Sequence, residues 1–217
     1  YPRLFMADAM ELASLHHVNF PSTFPVLIAQ IYSRQLAAEL KMTLLTVYPD
    51  EHPVKLVHSA GNMDEVVETL ALFEIDRSLH IGLLSVLFIP PLGEDTSLEA
   101  FQEVVAHLRA PEDGCPWDKD QTHTSLRKAL LEETYEALKA IDEDDPGKLA
   151  EELGDLLLQI VLHAQIGFEE GEFSMVDVLS GINNKIVRRH PHVFSDTVVE
   201  NMDDLLPNSE QVKASQR

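Results

Sequence analysis

Leu149-Ala-Glu-Glu-Leu-Gly-Asp-Leu-Leu-Leu-Gln-Ile-Val-Leu-His163 decides how the second half of this chain folds. With successive residues turned through about 100°, Leu149, Leu153, Leu156, Leu157 and Ile160 fall on one side of a helix, and Leu158 and Leu162 fall on another. The segment therefore predicts a helix buried almost all round. The narrow strip left between those sides holds Glu152, Asp155, Gln159 and His163, while Glu151 points elsewhere. Asp145 and Pro146 supply an N-cap and a first-turn proline, and the helix runs to about Phe168, ahead of Gly171.

Working outward, a second helix is expected from about Ser125 to Ile141, closed by Asp142-Glu-Asp-Asp145, which reads as a solvated loop. Its apolar stripe is Leu126, Ala129, Leu130, Ala137, Ala140 and Ile141. Glu133 falls inside that stripe and Glu136 beside it, so neither faces water easily, whereas Glu132 projects toward Lys128 and Lys139. An earlier helix opens on Thr96-Ser-Leu-Glu99, a capping-box pattern, and buries Leu98, Phe101, Val104, Val105 and Leu108. The turn Pro111-Glu-Asp-Gly-Cys-Pro-Trp-Asp118 follows it. A last helix begins at Ser174-Met-Val-Asp177, with Val178, Leu179, Ile182 and Ile186 as its buried stripe, and stops at Pro191. Four helices of bundle length result.

The first half reads differently. Short β-rich runs, Pro25 to Ile31, Val54 to His58 and Leu83 to Ile89, alternate with a helix near Arg34 to Leu45, an α/β pattern. Pro90-Pro-Leu-Gly-Glu-Asp95 breaks any regular element. The expected architecture is α+β overall: an N-terminal α/β lobe over residues 1–92, then an all-α helical bundle over 96–217.

Composition narrows the chemistry. The 217 residues carry 37 acidic and 16 basic side chains, a net charge of −21, which argues against a nucleic-acid polymer as partner. Whether that acidity serves solubility or cation binding stays open at this point. The single Cys115 excludes an internal disulfide, and neither a long apolar run nor a leader pattern points to a membrane or to export, so a cytoplasmic address is expected. Opening on Tyr1-Pro2 rather than Met, the chain reads as part of a longer polypeptide.

The informative acids are those displaced into apolar stripes. An unpaired buried carboxylate is costly, so Glu133, Glu136, Glu152 and Asp155 converging in a bundle need protonation, cationic side chains or metal ions. Carboxylates at i and i+3 share a helix face, and an all-oxygen shell suits Mg²⁺ or Mn²⁺ rather than Zn²⁺. On the last helix Lys185 and Arg189 are i and i+4 neighbours, with Arg188, His190 and His192 close by. They read either as a charged turn complementing the helix dipole or as cations for a polyphosphate. Metal and cations together suit attack of water on the α-phosphorus of a nucleoside triphosphate. His163 lies on the acid strip, a position compatible with a supporting role, but without a Glu-x-x-His pair on facing helices a di-iron centre is not expected. Trp117 and Cys115 lie in a tight turn; packing that pins the start of the helix and contact with a base are both open to Trp117.

The runs Gly114-Cys-Pro-Trp-Asp118, Leu131-Glu-Glu-Thr-Tyr-Glu136, Glu151-Glu-Leu-Gly-Asp155 and Arg188-Arg-His-Pro-His-Val-Phe194 closely resemble the MazG-type nucleoside triphosphate pyrophosphohydrolases. The resemblance covers about the second half of the chain. It implies an all-α, Mg²⁺-dependent homodimer or higher homo-oligomer that splits nucleoside triphosphates into monophosphate and pyrophosphate. It places metal ligands on Glu133, Glu136, Glu152 and Asp155, with Glu132 completing the motif, and phosphate-binding cations on Lys185 and Arg189. Asn208-Ser-Glu-Gln-Val-Lys213 corresponds to a family stretch that carries an aromatic where Ser209 stands here, and Lys213 is its candidate phosphate contact. The first half, notably Pro25 to Gly61, resembles the C-terminal lobe of a tetrapyrrole methylase, without the glycine-rich S-adenosylmethionine segment, and reads as a docking or dimerisation element. The alternative function is a catalytically weak nucleotide-sensing or oligomerisation module attached to such a methylase.

Overall fold

A computed structural model describes residues 3–194. The chain divides into two compact units, residues 1–104 and 105–217.

The first unit is built on a five-stranded sheet ordered β1-β2-β5-β3-β4, from β1 (Phe5–Asp8), β2 (Val26–Ala29), β3 (Pro53–His58), β4 (Val66–Ala71) and β5 (Ser85–Ile89). Only β1 and β2 run parallel; the other neighbours are antiparallel. The unit is thus a mixed α+β fold. The β-rich runs Pro25 to Ile31, Val54 to His58 and Leu83 to Ile89 contain β2, most of β3 and β5. Strand β2 alternates buried Val26 and Ile28 with half-buried neighbours, and β5 does the same with Ser85, Leu87 and Ile89. Helix α1 (Ala9–Ala13) is capped by the Asp8 carboxylate, which accepts the Met10 and Glu11 N–H groups. Helix α2 (Arg34–Leu44) is capped by Ser33 and buries Leu36, Ala37, Leu40 and Leu44 against the sheet residues Val26, Ile28, Leu56 and Leu87 in one core.

Helix α3 (Leu98–Leu108) contains the division between the units. Its N-cap is Ser97, whose Oγ accepts the Ala100 N–H at 3.2 Å, and not Thr96 as the Thr-x-x-Glu spacing predicts. Thr96 is drawn away because its hydroxyl meets Ser22 Oγ at 2.9 Å and donates to the Gly93 carbonyl. This tie fixes the segment after Pro90-Pro91 to the first unit. Of the predicted α3 stripe only Val105 is buried, and Val104 is exposed.

The second unit is helical: α4 (Pro116–Lys119), α5 (Arg127–Asp142), α6 (Pro146–Glu170), α7 (Met175–Arg189) and α8 (Pro191–Phe194). Asp145 caps α6 by accepting the Lys148 N–H, and Gly171 ends it in the left-handed conformation at φ 73°. Ser174 and Asp177 form the capping box of α7 read from sequence. α5 packs along α6, while α7 packs more sparingly on α6. Two expectations are corrected here: that α6 is buried almost all round, and that α7 buries the stripe Val178, Leu179, Ile182 and Ile186. Leu153 of α6 is 52% exposed and Ile182 of α7 is 47% exposed, and Leu157, Ile160, Val178, Leu179 and Ile186 are also exposed. Two helices cover only part of each other, so a stripe wider than one contact face stays open unless something else meets it. No helix among the described residues is long and apolar enough to cross a membrane.

Arg109 organises the segment leading into α5. Its buried guanidinium forks onto Glu169 near the end of α6, with Nε donating to Oε1 at 3.0 Å and Nη2 to Oε2 at 2.6 Å. Nη1 donates to the carbonyls of Asp118 and Gln121. The turn before α4 closes tightly at Gly114, where an added Cβ would fall 2.5 Å from the Ala110 carbonyl oxygen and 2.6 Å from that of Leu108. Gly114→Ala is accordingly expected to destabilise the chain by about 1–3 kcal/mol, the usual cost of forced overpacking, read as a lower denaturant midpoint at unchanged slope.

Candidate metal centre

Helices α5 and α6 turn back on one another across Glu143, Asp144 and Asp145, so residues at similar distances from that turn meet. Glu136 faces Glu152, and Glu133 sits within electrostatic reach of Asp155. Carboxylate oxygens of Glu133, Glu136 and Glu152 all lie within 4.8 Å of one another.

Electrostatics follow from this crowding. Burial first, and then the charge of Glu136, push Glu152 above the usual glutamate range, against the opposing pull of Lys148. Burial, followed by the charges of Asp155, Glu136 and Glu132, raises Glu133 as well. Among the described residues only Lys148, with Nζ 3.8 Å from Glu152 Oε1, forms an ion pair with these three acids. Three acids and one ammonium leave negative charge uncompensated. An all-oxygen donor set of this kind fits a hard divalent cation.

Periodicity alone overstates the shielding of these acids. Glu152 is buried at 5% exposure, Glu133 and Asp155 are half-buried, and Glu136 is exposed. The correction has the same cause as the open stripes: Leu138 and Ile141 of α5 are themselves exposed, and nothing among the described residues covers that face. Glu132 turns outward and pairs with Lys128 at 3.0 Å, as its position on the helix predicts. Glu151 is exposed too.

The remaining sequence candidates are scattered. Lys185 lies exposed on α7 and Arg189 is half-buried near its end. Trp117 is 62% exposed on α4, so it does not pack into the turn; the backbone does that work, with the Cys115 N–H donating to the Leu108 carbonyl at 2.8 Å. Asn208 to Lys213, including Ser209, lie outside the described residues. Lys148 escapes the sequence reading, although its i, i+4 spacing to Glu152 is the signal that finds it. His163, read as part of the acid strip, pairs with His123 instead: their Nδ1 atoms are 2.7 Å apart and the rings stack at 5.0 Å. Burial, and then the neighbouring His123, lower the His163 pKa.

The first unit holds a different arrangement. Ser85 Oγ meets His58 Nδ1 at 2.7 Å, and His58 Nε2 meets Glu68 Oε2 at 2.8 Å, the order of groups in a nucleophilic triad. Ser85 is 1% exposed and already accepts the Gly82 N–H, so no substrate can approach it. The network is structural, satisfying polar groups inside the sheet.

The fold and the cluster together define a helical hairpin that presents converging carboxylates. Residues 121–194, which include all four acids, match the family model of the MazG nucleotide pyrophosphohydrolase domain. Over 215 residues the chain is 44% identical to the uncharacterized protein YabN of Bacillus subtilis (strain 168), covering 97% of this chain and 42% of that protein. Over 114 residues it is 48% identical to the nucleoside triphosphate pyrophosphohydrolase of Escherichia coli (strain K12), covering 52% of this chain and 43% of that one. The chain thus spans less than half the length of these relatives. Several curated relatives carry the name nucleoside triphosphate pyrophosphohydrolase, consistent with a hydrolase acting on phosphoric anhydrides. The crystal structure of a mazG-related protein from Thermotoga maritima aligns with 54% of this chain and 99% of its own, at 24% identity and a TM-score of 0.46.

The raised acids give the cluster a signature in stability. Both shifts penalise the ionised form, so this contribution to stability is fully present below the ordinary glutamate range and is lost as the pH rises through the raised values. In metal-free protein, Glu152→Gln is expected to raise the melting temperature at neutral pH and to flatten its decline as the pH rises above the ordinary glutamate range. A thermal-melt series against pH checks this; coincident profiles for the two proteins would remove the electrostatic account.

Proposed function

We propose that this chain hydrolyses nucleoside triphosphates to nucleoside monophosphate and pyrophosphate with the help of Mg²⁺. The observation that carries the reading is the meeting of Glu133, Glu136 and Glu152 within 4.8 Å, in a segment that matches the MazG domain and with too little positive charge of its own. Glu133, Glu136, Glu152 and Asp155 would hold the metal, with Mn²⁺ as the alternative ion. Bound Mg²⁺ would supply charge neutralisation at the reacting phosphate and on the departing pyrophosphate, and ease deprotonation of water.

The chain's own groups do the rest. Lys185 and Arg189, on the helix that packs against α6, would hold the phosphate oxygens not neutralised at the carboxylates. Water adds to the α-phosphorus as the bond to the bridging oxygen breaks. The proton released from water passes to a carboxylate oxygen of the cluster, and pyrophosphate leaves. Glu132, held outward by Lys128, contributes charge to Glu133 rather than a contact of its own. The nucleoside triphosphate is the proposed partner; a chain of net charge −21 gives no electrostatic gain on a nucleic-acid polymer.

The same reading includes self-association. Val176, Leu179, Ile182 and Ile186 line an open groove of about 660 Å³ along α7, and the exposed apolar residues of α5 and α6 lie at matching helical spacing. A second copy of this chain offers the same stripes and completes a bundle in the isologous manner of homodimers. The first unit, which resembles a methylase lobe over Pro25 to Gly61, is given no methyl transfer in this proposal.

Pyrophosphate release from a panel of nucleoside triphosphates, with and without Mg²⁺, tests the hydrolase. Release is expected only with metal, and Glu152→Gln and Asp155→Asn should each lower kcat/KM by at least about 100-fold. Absence of release from folded protein at saturating Mg²⁺ would refute the reaction and leave the sensing or assembly module. Independently, light scattering on chromatographed protein should give a mass of two chains or a multiple, and Ile182→Glu should shift it toward one.

A further inference from the structure

We infer that the second unit carries another cation site, distinct from the carboxylate cluster, in which His123, Glu170 and Glu172 take a divalent transition-metal ion of the Zn²⁺ class. Nε2 or Nδ1 of His123 and one carboxylate oxygen from each glutamate lie within 4.8 Å of one another. The donors come from separate pieces of chain. His123 lies in the connection before α5, Glu170 is the last residue of α6, and Glu172 follows the left-handed Gly171. The Glu172 N–H donates to the Gly167 carbonyl at 2.8 Å, so the turn that carries this carboxylate is itself fixed.

The state of His123 argues for a metal rather than for an ordinary ion pair. Its Nε2 is buried and has no hydrogen-bond partner, and the nearest carboxylate oxygen, Glu170 Oε2, stands 3.9 Å away, beyond hydrogen-bond length. On the other side of the ring, Nδ1 meets His163 Nδ1 at 2.7 Å, a contact that requires one proton between the two nitrogens. With that proton on His123 Nδ1, the Nε2 lone pair points toward two carboxylates. A cation among them would satisfy that lone pair and both anions. A ligating imidazole commonly donates its other N–H to a fixed acceptor, which sets the tautomer and holds the ring, and His163 supplies that acceptor here.

The ring is also clamped by packing. Phe173 stacks on His123 with centroids 5.8 Å apart and an 18° interplanar angle. Phe173 is in turn held over Gly167, where an added Cβ would fall 2.7 Å from the ring. One imidazole nitrogen with two carboxylate oxygens suits Zn²⁺ and its neighbours better than Mg²⁺. Glu152 and Glu170 are separated by about 27 Å along a helix rising 1.5 Å per residue, so the two sites share no ligand. A metal here would staple the connection before α5 to the end of α6 and the turn into α7.

Isothermal titration calorimetry with Zn²⁺ tests this on the full chain, first stripped with chelator and then returned to excess Mg²⁺ so that hard-oxygen sites are filled. One Zn²⁺ per chain is expected at this site. His123→Gln and Glu172→Gln should each weaken it by at least about 10-fold, and Glu152→Gln should leave it unchanged. Glu172 is exposed, and far-ultraviolet circular dichroism of its variant guards against a folding defect. Zn²⁺ binding unaltered in both variants, or abolished by Glu152→Gln alone, would overturn the site. So would a His123→Gln variant that is less stable while the wild-type melting temperature ignores Zn²⁺, since that marks a plain imidazolium–carboxylate pair. None of these readouts depends on whether nucleotides are hydrolysed.

Discussion

Like-charge crowding between α5 and α6 is the constraint on which the rest of the second unit depends. The hairpin can bury Ala137, Ala140, Val161 and Leu162 only by packing α5 along α6. That packing places Glu136 against Glu152 and Glu133 near Asp155. Apolar burial therefore drives together acids that repel one another, and one ammonium, Lys148, is too little to balance them. Held together in this way, the acids store repulsion that protonation or a bound cation would relieve.

Nearby, the apolar residues divide into two populations. Those facing the α5–α6 contact are buried, while Leu153, Leu157, Ile160 and the stripe of α7 stay open to solvent. Scattered exposed hydrophobics need no explanation, but a continuous stripe at helical spacing is a different matter. The exposure of Glu136 belongs to the same pattern, because nothing among the described residues shields it on that face. Dry surroundings for the cluster and cover for the stripes are thus one requirement, which the proposed second copy would meet on both counts.

How far the sequence can be read depends on the range of the interaction involved. The 3.6-residue period locates α5, α6 and α7, and local capping chemistry sets ends such as Asp145–Pro146 and Ser174–Asp177. Glu133 and Glu152 stand out because a charge inside an apolar stripe is visible within one helix. The order of the sheet is not legible, since the pairing of β2 with β5 across some sixty residues leaves no mark in either strand. β1, α1 and β4 escape as well; β4 has no fully buried position to mark one of its faces. Thr96 reads as a cap in sequence because its competing partner, Ser22, is distant along the chain. For the same reason His163 reads as part of the acid strip, while its partner is a histidine forty positions earlier.

The two ends of α6 respond to protons in opposite senses, and this bears on how the hairpin keeps its register. At the cluster, ionisation of Glu152 and Glu133 works against the fold. At the other end burial acts to raise Glu169, but the hydrogen bonds from Arg109 and Gln165 and the Arg109 charge outweigh it and hold the carboxyl below its usual range. This depressed acid contributes stability above the ordinary glutamate range and loses it as the pH falls through the lowered value. Above the ordinary glutamate range, then, the Arg109–Glu169 clamp is engaged, while repulsion in the cluster grows as the pH rises through the raised values. The clamp ties the end of α6 to the carbonyls of Asp118 and Gln121, just ahead of α5. It therefore opposes the sliding or splaying of α5 on α6 that would otherwise relieve the repulsion, and keeps the acids together until a proton or a cation relaxes them.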